Sequence, residues 1–288
     1  MEGCAFGIFN ADVLRVENIP LFLTSILKMI QPLAYVHPSA KIADNVVIDP
    51  FVTIHTDVEI DEGTHIMSGA TIFRGTRIGK NCRVFPGASI GAIPQDLKFD
   101  GEETLTLIGD NTTIREYVTI NKGTKALGYT KVGSNVLLMA YVHLAHDVVI
   151  DDNCVLANSV QIAGHVSIGE YAILGGAALV HQFVKVGRHA MVSGGSLVRK
   201  DVPPYTKSAR EPLSYEGVNS IGLRRRNFTT EKIAEIQDIY RTLFVKGYNT
   251  AKAVKIIETE FQPTKERDEI LQFLKESDRG IMKGYGSK

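Results

Sequence analysis

Apolar residues recur along this chain with a period of six. From Val36 to Ile90 every sixth residue is Ile or Val, at 36, 42, 48, 54, 60, 66, 72, 78, 84 and 90. The series returns at Ile108, Ile114 and Ile120, then runs unbroken from Val132 to Val198. Four residues after almost every one stands a small or β-branched side chain, as at Ala40, Val46, Thr64, Ala88, Cys154 and Ala190. The helical period of 3.6 cannot hold a period of six on one face, and strand alternation does not generate one. Six residues suit a short strand and a tight turn. Three such hexads close an 18-residue triangular coil, with the aliphatic residue inward and the small one near the corner. Coils stacked at the ~4.8 Å spacing of paired strands make a parallel β-helix solenoid. The period leaves the hand open, and the right-handed crossover rule for parallel strands would favour a right-handed coil.

The array is interrupted at residues 92–107 and 121–131, polar or Gly-containing excursions after which the aliphatic series resumes in phase. Loops that leave a rigid solenoid in this way often carry function. Past Asp201-Val-Pro-Pro-Tyr205 the hexads stop and a helical pattern begins. Thr229 or Thr230 can cap a helix with Ile233, Ile236, Tyr240, Leu243 and Phe244 on one face and Gly247 at its end. Further helices fit about 250–261 and 266–277. The expected organisation is therefore a mainly β chain. It has a solenoid over 29–203 and an α-helical C-terminal domain over 204–288 covering the open end. Residues 1–28 match neither pattern and read as an extension or a misassigned start.

Composition narrows the class. Lys+Arg and Asp+Glu are equal at 32 each, so net charge gives no argument for nucleic acid. The balance is uneven along the chain: 14 basic and 19 acidic side chains in 1–198, against 18 and 13 in 199–288. Such a basic tail can receive an acidic partner. Cys4, Cys82 and Cys154 match no zinc or disulfide spacing and read as a reduced, cytoplasmic set. No apolar run approaches the ~20 residues of a membrane helix.

The 18-residue coil converts sequence separation into geometry. His146, Gly164 and Gln182 fall in one column, and Asp147, His165 and Phe183 in the next. Ala145, Ala163 and His181 flank the first column, with His143 half a hexad before His146. Half of the eight histidines therefore gather at one edge of three coils. On a solenoid surface this is half a cleft, and a closed cyclic homotrimer would supply the other wall.

Leu137-Leu-Met-Ala-Tyr-Val-His-Leu-Ala-His-Asp147, followed by Leu156-Ala-Asn, Ala163-Gly-His-Val and Val180-His-Gln-Phe, resembles the active-site run of the UDP-N-acetylglucosamine O-acyltransferase family. Pro94-Gln-Asp-Leu-Lys98, Asp201-Val-Pro-Pro-Tyr205, Gly217-Val-Asn219 and Gly222-Leu-Arg-Arg-Arg226 extend the resemblance in order from about residue 30 to 280. It implies a left-handed hexapeptide-repeat β-helix. It also implies a cytoplasmic enzyme that moves an (R)-3-hydroxyacyl chain from acyl carrier protein to the 3-hydroxyl of UDP-N-acetylglucosamine, the first step of lipid A synthesis. The donor is the carrier's phosphopantetheine thioester, with no further cofactor and no metal.

Such a transfer needs a base for the hydroxyl proton and donors for the developing oxyanion. By the same resemblance His146 is the base; an imidazole, with an ordinary pKa near ~6.5, suits that task. Asp147 orients it, and Gly164 gives a backbone N–H to the oxyanion. Asp96 and Lys98 meet the sugar and its phosphates, while His143, His165, His181 and Gln182 contact substrate. Asn219, Arg225 and Arg226 contact the nucleotide, where arginine can clasp phosphate with two N–H groups. Gly194 sets acyl length. The chain departs from the family pattern at Ile221, where an acidic residue beside the uridine ribose is common. A zinc hydratase on the same kind of trimer would instead cast His143, His146 and His165 as ligands. The sister N-acyltransferases carry a uridine-binding domain before their repeats, for which the hexads, beginning at Val36, leave no room.

Overall fold

The structure, a computed structural model, describes residues 29–284; the segment 1–28 lies outside them. Most strands are two residues long, and they form three largely parallel sheets of 11, 9 and 8 strands, the walls of a triangular prism. The chain is a left-handed parallel β-helix followed by helices. Each wall strand pairs with the residue 18 further on, as in Val36↔Ile54 and Leu144↔Ile162. Across the first excursion the step lengthens to 30 (Val84↔Ile114), and across the second to 24 (Ile114↔Leu138). Twelve and six residues thus leave the wall without shifting the register of the coils above.

The hexad aliphatics fill the prism. Ile48, Ile54, Ile66, Ile72, Val84, Ile114, Leu144 and Leu156 are fully buried, as are the small residues Ala70, Cys82, Cys154 and Ala172. Burying one such Val, Leu or Ile side chain contributes about 1.5–3 kcal/mol, repeated rung after rung. Turns fall at every sixth residue, and at those corners the backbone is left-handed even where the residue is not glycine: Phe51, Tyr117, Tyr141, Asp147, His165, Tyr171, Phe183 and His189 all have positive φ. That conformation costs roughly 1–2 kcal/mol for an L-residue. Stacking down the corner columns offsets part of it, with ring centroids 5.4 Å apart for Tyr117–Tyr141 and 4.8 Å for His165–Phe183.

At the C-terminal end the wall continues beyond the hexads. Thr206–Ala209 pairs parallel to Met191–Val192, and Ser214–Val218 returns antiparallel, two strands that the hexad pattern does not announce. Four helices follow: α1 (Ser220–Arg225), α2 (Thr230–Phe244), α3 (Thr250–Glu260) and α4 (Lys265–Lys275). The N-caps of the last three are Thr229, Asn249 and Thr264, whose side chains accept from the backbone N–H three residues on. Polar contacts fasten this unit to the last coil. The Tyr240 hydroxyl donates to the Pro204 carbonyl and the Tyr205 hydroxyl to Glu269, each at 2.6 Å. The Asp201 carboxylate accepts from Lys185 N and from the Ser277 hydroxyl.

Candidate active site

The ladder pairs His143 with Thr119 below it and Gln161 above, so the column arrangement follows directly from strand register. His143 Nδ1 lies 2.7 Å from the Thr119 hydroxyl, and burial pulls its pKa below the ordinary imidazole value. Two residues past this strand the chain turns a corner, placing His146 and Asp147 side by side at the prism edge. His146 Nδ1 is 2.8 Å from Asp147 Oδ2, with both residues buried.

The second excursion closes over this pair. Asp147 Oδ1 accepts from the Thr124 N–H at 2.9 Å, and Oδ2 accepts from the Thr124 hydroxyl at 2.7 Å. The Asp147 N–H in turn donates to the Thr130 hydroxyl. Burial pushes the Asp147 carboxyl upward, but the donors His146 and Thr124, with the charge of His165, leave it below its usual value. It is therefore an ionised acceptor at neutral pH.

The other imidazole nitrogen, His146 Nε2, faces out. Asp96 Oδ2, brought in by the first excursion, stands 3.8 Å from it. Lys98 lies on the same turn, where its N–H donates to Asp96 Oδ1. Gly164 sits directly above the ring. A Cβ built there would stand 2.7 Å from His146 Cε1 and 2.8 Å from Nε2, so only a glycine leaves the imidazole its position. The Gly164 N–H has no acceptor among the described residues. His165, one residue on, packs edge-on to His146 with centroids 5.1 Å apart, its Nε2 3.6 Å from Asp147 Oδ2.

Around these groups is a polar cleft of about 330 Å³, lined by Asp96, Lys98, Asn121, His143, His146, Gly164 and Gln182 among others. An apolar groove of about 460 Å³ leads away from it up the same wall. The two share His143, Ala145 and Ala163, and the groove continues past Leu179, His181 and Leu197. The site thus joins a polar compartment to a hydrocarbon-sized channel, with an imidazole at the junction.

Not every residue singled out in the sequence meets here. Gly194 is exposed at the corner before Leu197 and does not line the apolar groove; a Cβ on it would touch the Gly176 carbonyl at 3.0 Å. Asn219, Arg225 and Arg226 do not line the polar cleft either. Asn219 is buried as the N-cap of α1, with Oδ1 accepting from Gly222 N and Nδ2 donating to the His189 carbonyl. Arg225 is exposed, and the Arg226 guanidinium lies 4.8 Å over the Tyr171 ring. Ile221 is exposed on the same helix.

The ligand-capable group gathered among the described residues is His146, Asp147 and His165, within 4.8 Å of one another. It is not the trio of histidines that a zinc hydratase would need, and Asp147 Oδ2 is already shared by His146 and Thr124. Sequence reasoning did not single out Thr124, Thr130 or Asn121. Asn121 is buried against the cleft, with Nδ2 donating to the Ile93 carbonyl and Oδ1 unpaired among the described residues. Thr124 and Asn121 lie within the second excursion and Thr130 at its close. That loop was itself a signal, but no spacing rule ties a loop residue to a corner.

A profile described as UDP-N-acetylglucosamine O-acyltransferase, domain 2, matches residues 201–282. Six bacterial transferase hexapeptide repeats match 129–164, and the GMPPB C-terminal domain matches 30–142. An acyl-[acyl-carrier-protein]–UDP-N-acetylglucosamine O-acyltransferase from Trichlorobacter lovleyi is 53% identical over 256 residues, covering 87% of this chain and 98% of that one. One of the same name from Xylella fastidiosa is 43% identical, covering 88% and 98%. The crystal structure of a UDP-N-acetylglucosamine acyltransferase from Bacteroides fragilis superposes with a TM-score of 0.87 at 49% identity, over 88% of this chain and all of that one. This chain belongs to the UDP-N-acetylglucosamine O-acyltransferase family. It is an acyltransferase. Among the described residues no helix is long and apolar enough to cross a membrane.

The close seat of the imidazole under Gly164 makes a direct prediction. Gly164→Ala should displace the His146 ring and lower acyl transfer by at least about 100-fold, the lower end of what a misplaced proton-transfer group costs. Steady-state assay beside a thermal melt checks this, and a variant within a few-fold of wild type would show that the ring tolerates the methyl.

Proposed function

We propose that this acyltransferase moves an (R)-3-hydroxyacyl chain from acyl carrier protein to the 3-hydroxyl of UDP-N-acetylglucosamine, opening lipid A synthesis in the cytoplasm. The observation that carries the reading is the outward imidazole nitrogen of His146 in a polar cleft that opens, at His143, Ala145 and Ala163, into an apolar groove. His146 Nε2 takes the proton of the sugar 3-hydroxyl as its oxygen attacks the thioester carbonyl. The tetrahedral oxyanion is met by the Gly164 N–H, a donor with no other acceptor among the described residues. Collapse expels the phosphopantetheine thiolate, which recovers the proton from the imidazolium. Asp147, ionised and held at Nδ1, keeps the imidazole in the tautomer with Nε2 free and stabilises its charged form. No metal or further cofactor has a part in these steps.

Asp96 and Lys98 approach the sugar and phosphates from the first excursion, His143, His181 and Gln182 line the path of the substrates, and His165 meets them from beside His146. Asn219, Arg225 and Arg226 serve the nucleotide from a neighbouring protomer, since they do not line their own cleft. A homotrimer would supply this second wall. In favour of it, one prism corner leaves Leu33, Phe51, Tyr117 and Tyr141 more than half exposed, a stripe that an interface would cover. Gly194 limits acyl length from the same corner of the coil, where a bulky side chain would close the far end of a chain-binding channel.

His146→Ala should lower turnover of 3-hydroxyacyl carrier protein and UDP-N-acetylglucosamine by 10²–10⁴-fold, typical of a lost general base, with the circular dichroism spectrum unchanged. Retention of more than about a tenth of the wild-type rate would remove His146 from that role. In a panel of acyl carrier proteins, Gly194→Met should shift preference to shorter chains, each buried methylene being worth about 0.8 kcal/mol until a side chain blocks it. An unaltered length profile places the ruler elsewhere. Sedimentation equilibrium should give three times the mass of the chain, and a fully active monomer would refute the intersubunit site.

A further inference from the structure

The Asp147 carboxylate has two histidines within reach: Oδ2 is 2.8 Å from His146 Nδ1 and 3.6 Å from His165 Nε2. Nothing in the corner backbone chooses between them, because the terminal torsion of an aspartate is broad and two-fold. The choice is made by the second excursion. Thr124 supplies two donors, its N–H to Oδ1 and its hydroxyl to Oδ2, which together fix the plane of the carboxylate. The hydroxyl is itself directed, since Thr124 Oγ1 accepts from Ala126 N at 3.2 Å and has only its proton left to give. Thr124 is buried, and its carbonyl accepts from Gly128 N, so the loop closes on itself around this residue. At Gly123 the chain crosses so near Tyr129 that an added Cβ would lie 2.3 Å from the Tyr129 nitrogen. The Gly123 carbonyl also accepts from the Thr104 hydroxyl, on the return limb of the first excursion. Thr124 is thus delivered by a pinned loop, with the first excursion bracing the second.

We infer that Thr124 is a positioning residue for acyl transfer, holding Asp147 on His146 rather than His165 and so keeping the imidazole aimed for proton abstraction. The inference rests on the proposal that His146 is the base. Thr124 does not line the polar cleft, so its loss should appear in kcat and leave the KM for UDP-N-acetylglucosamine unchanged. Hydrogen bonds to charged groups are among the stronger ones, and losing one here corresponds to about a tenfold fall in kcat.

The test is steady-state kinetics on the full chain with UDP-N-acetylglucosamine and a 3-hydroxyacyl carrier protein. It compares wild type, Thr124→Val, Thr124→Ser, Asp147→Ala and the double variant Thr124→Val with Asp147→Ala. Thr124→Val should lose about tenfold in kcat at constant KM, and Thr124→Ser, which keeps the hydroxyl, should recover most of it. In the Asp147→Ala background the valine should cost nothing more, because the group it acts through is gone. Thr124→Val at full kcat, an equal loss with and without Asp147, or a serine no better than valine would each overturn the inference. Thr124→Ala, which adds no methyl against the carboxylate, replaces the valine variant if that one melts early. The two readings fail separately. An active His146→Ala variant refutes the base assignment whatever Thr124 does, whereas an inactive one beside a fully active Thr124→Val refutes this inference alone.

Discussion

Parallel pairing of one coil on the next is the constraint on which everything else in this molecule depends. Each rung hydrogen-bonds to the rung 18 residues away, and the buried Ile, Val and Leu of every hexad make a slip of even one residue costly, since it would turn the aliphatic face outward. A rigid register converts the chain into a lattice in which side chains far apart in sequence stand in columns. Gly164 lies over His146 and Phe183 over His165 for that reason alone. The site needs no induced assembly of its first few groups; they are neighbours as soon as the coils stack.

The excursions use the same rigidity in a different way. Because twelve and then six residues leave the wall and the register resumes, the loops can vary without disturbing the core. They return to the edge at which the histidines stand. One brings a carboxylate to the open side of His146, and the other brings two donors to the closed side of Asp147. The imidazole is consequently addressed from both faces: an ionised, fully engaged partner behind it and a polar cleft before it. This difference between its two nitrogens is what the proposed role of His146 as a base would use.

The helical unit has a separate logic. Its helices are capped by Thr229, Asn249 and Thr264 and joined to the last coil by buried tyrosine hydroxyls and by Asp201. Asn219 is structurally engaged at both ends of its side chain. Both ends of its amide are used within the chain, so the proposed contact with a nucleotide would be made from a scaffold already fixed. The aromatic column Tyr171–His189–Tyr205, with Arg226 over its end, continues the corner stacking of the solenoid into this unit.

How much of this could be read from the chain follows from where each residue sits relative to the repeat. The period of six, the inward aliphatics, the 18-residue coil and the columns containing His146, Gly164 and His165 are all properties of a one-dimensional pattern. A ladder with fixed spacing maps that pattern onto space with no further information. The hand of the coil is different, because either hand stacks the same rungs; the family resemblance supplied it. The second excursion announces itself only as a break in the pattern. Thr124 is 23 residues from Asp147, a separation that corresponds to no step of the coil, and its contact arises from a loop pinned by Thr104 and pinched at Gly123. Likewise, the two strands after Thr206 and the seat of Asn219 depend on packing against the final rung, where the repeat has ended. The sequence by itself determined what the regular hydrogen-bonded ladder determines, namely the solenoid and the histidine edge. The tertiary structure alone decided which loop groups meet that edge, because irregular backbone is placed by contacts distant in sequence and carries no period from which they could be counted.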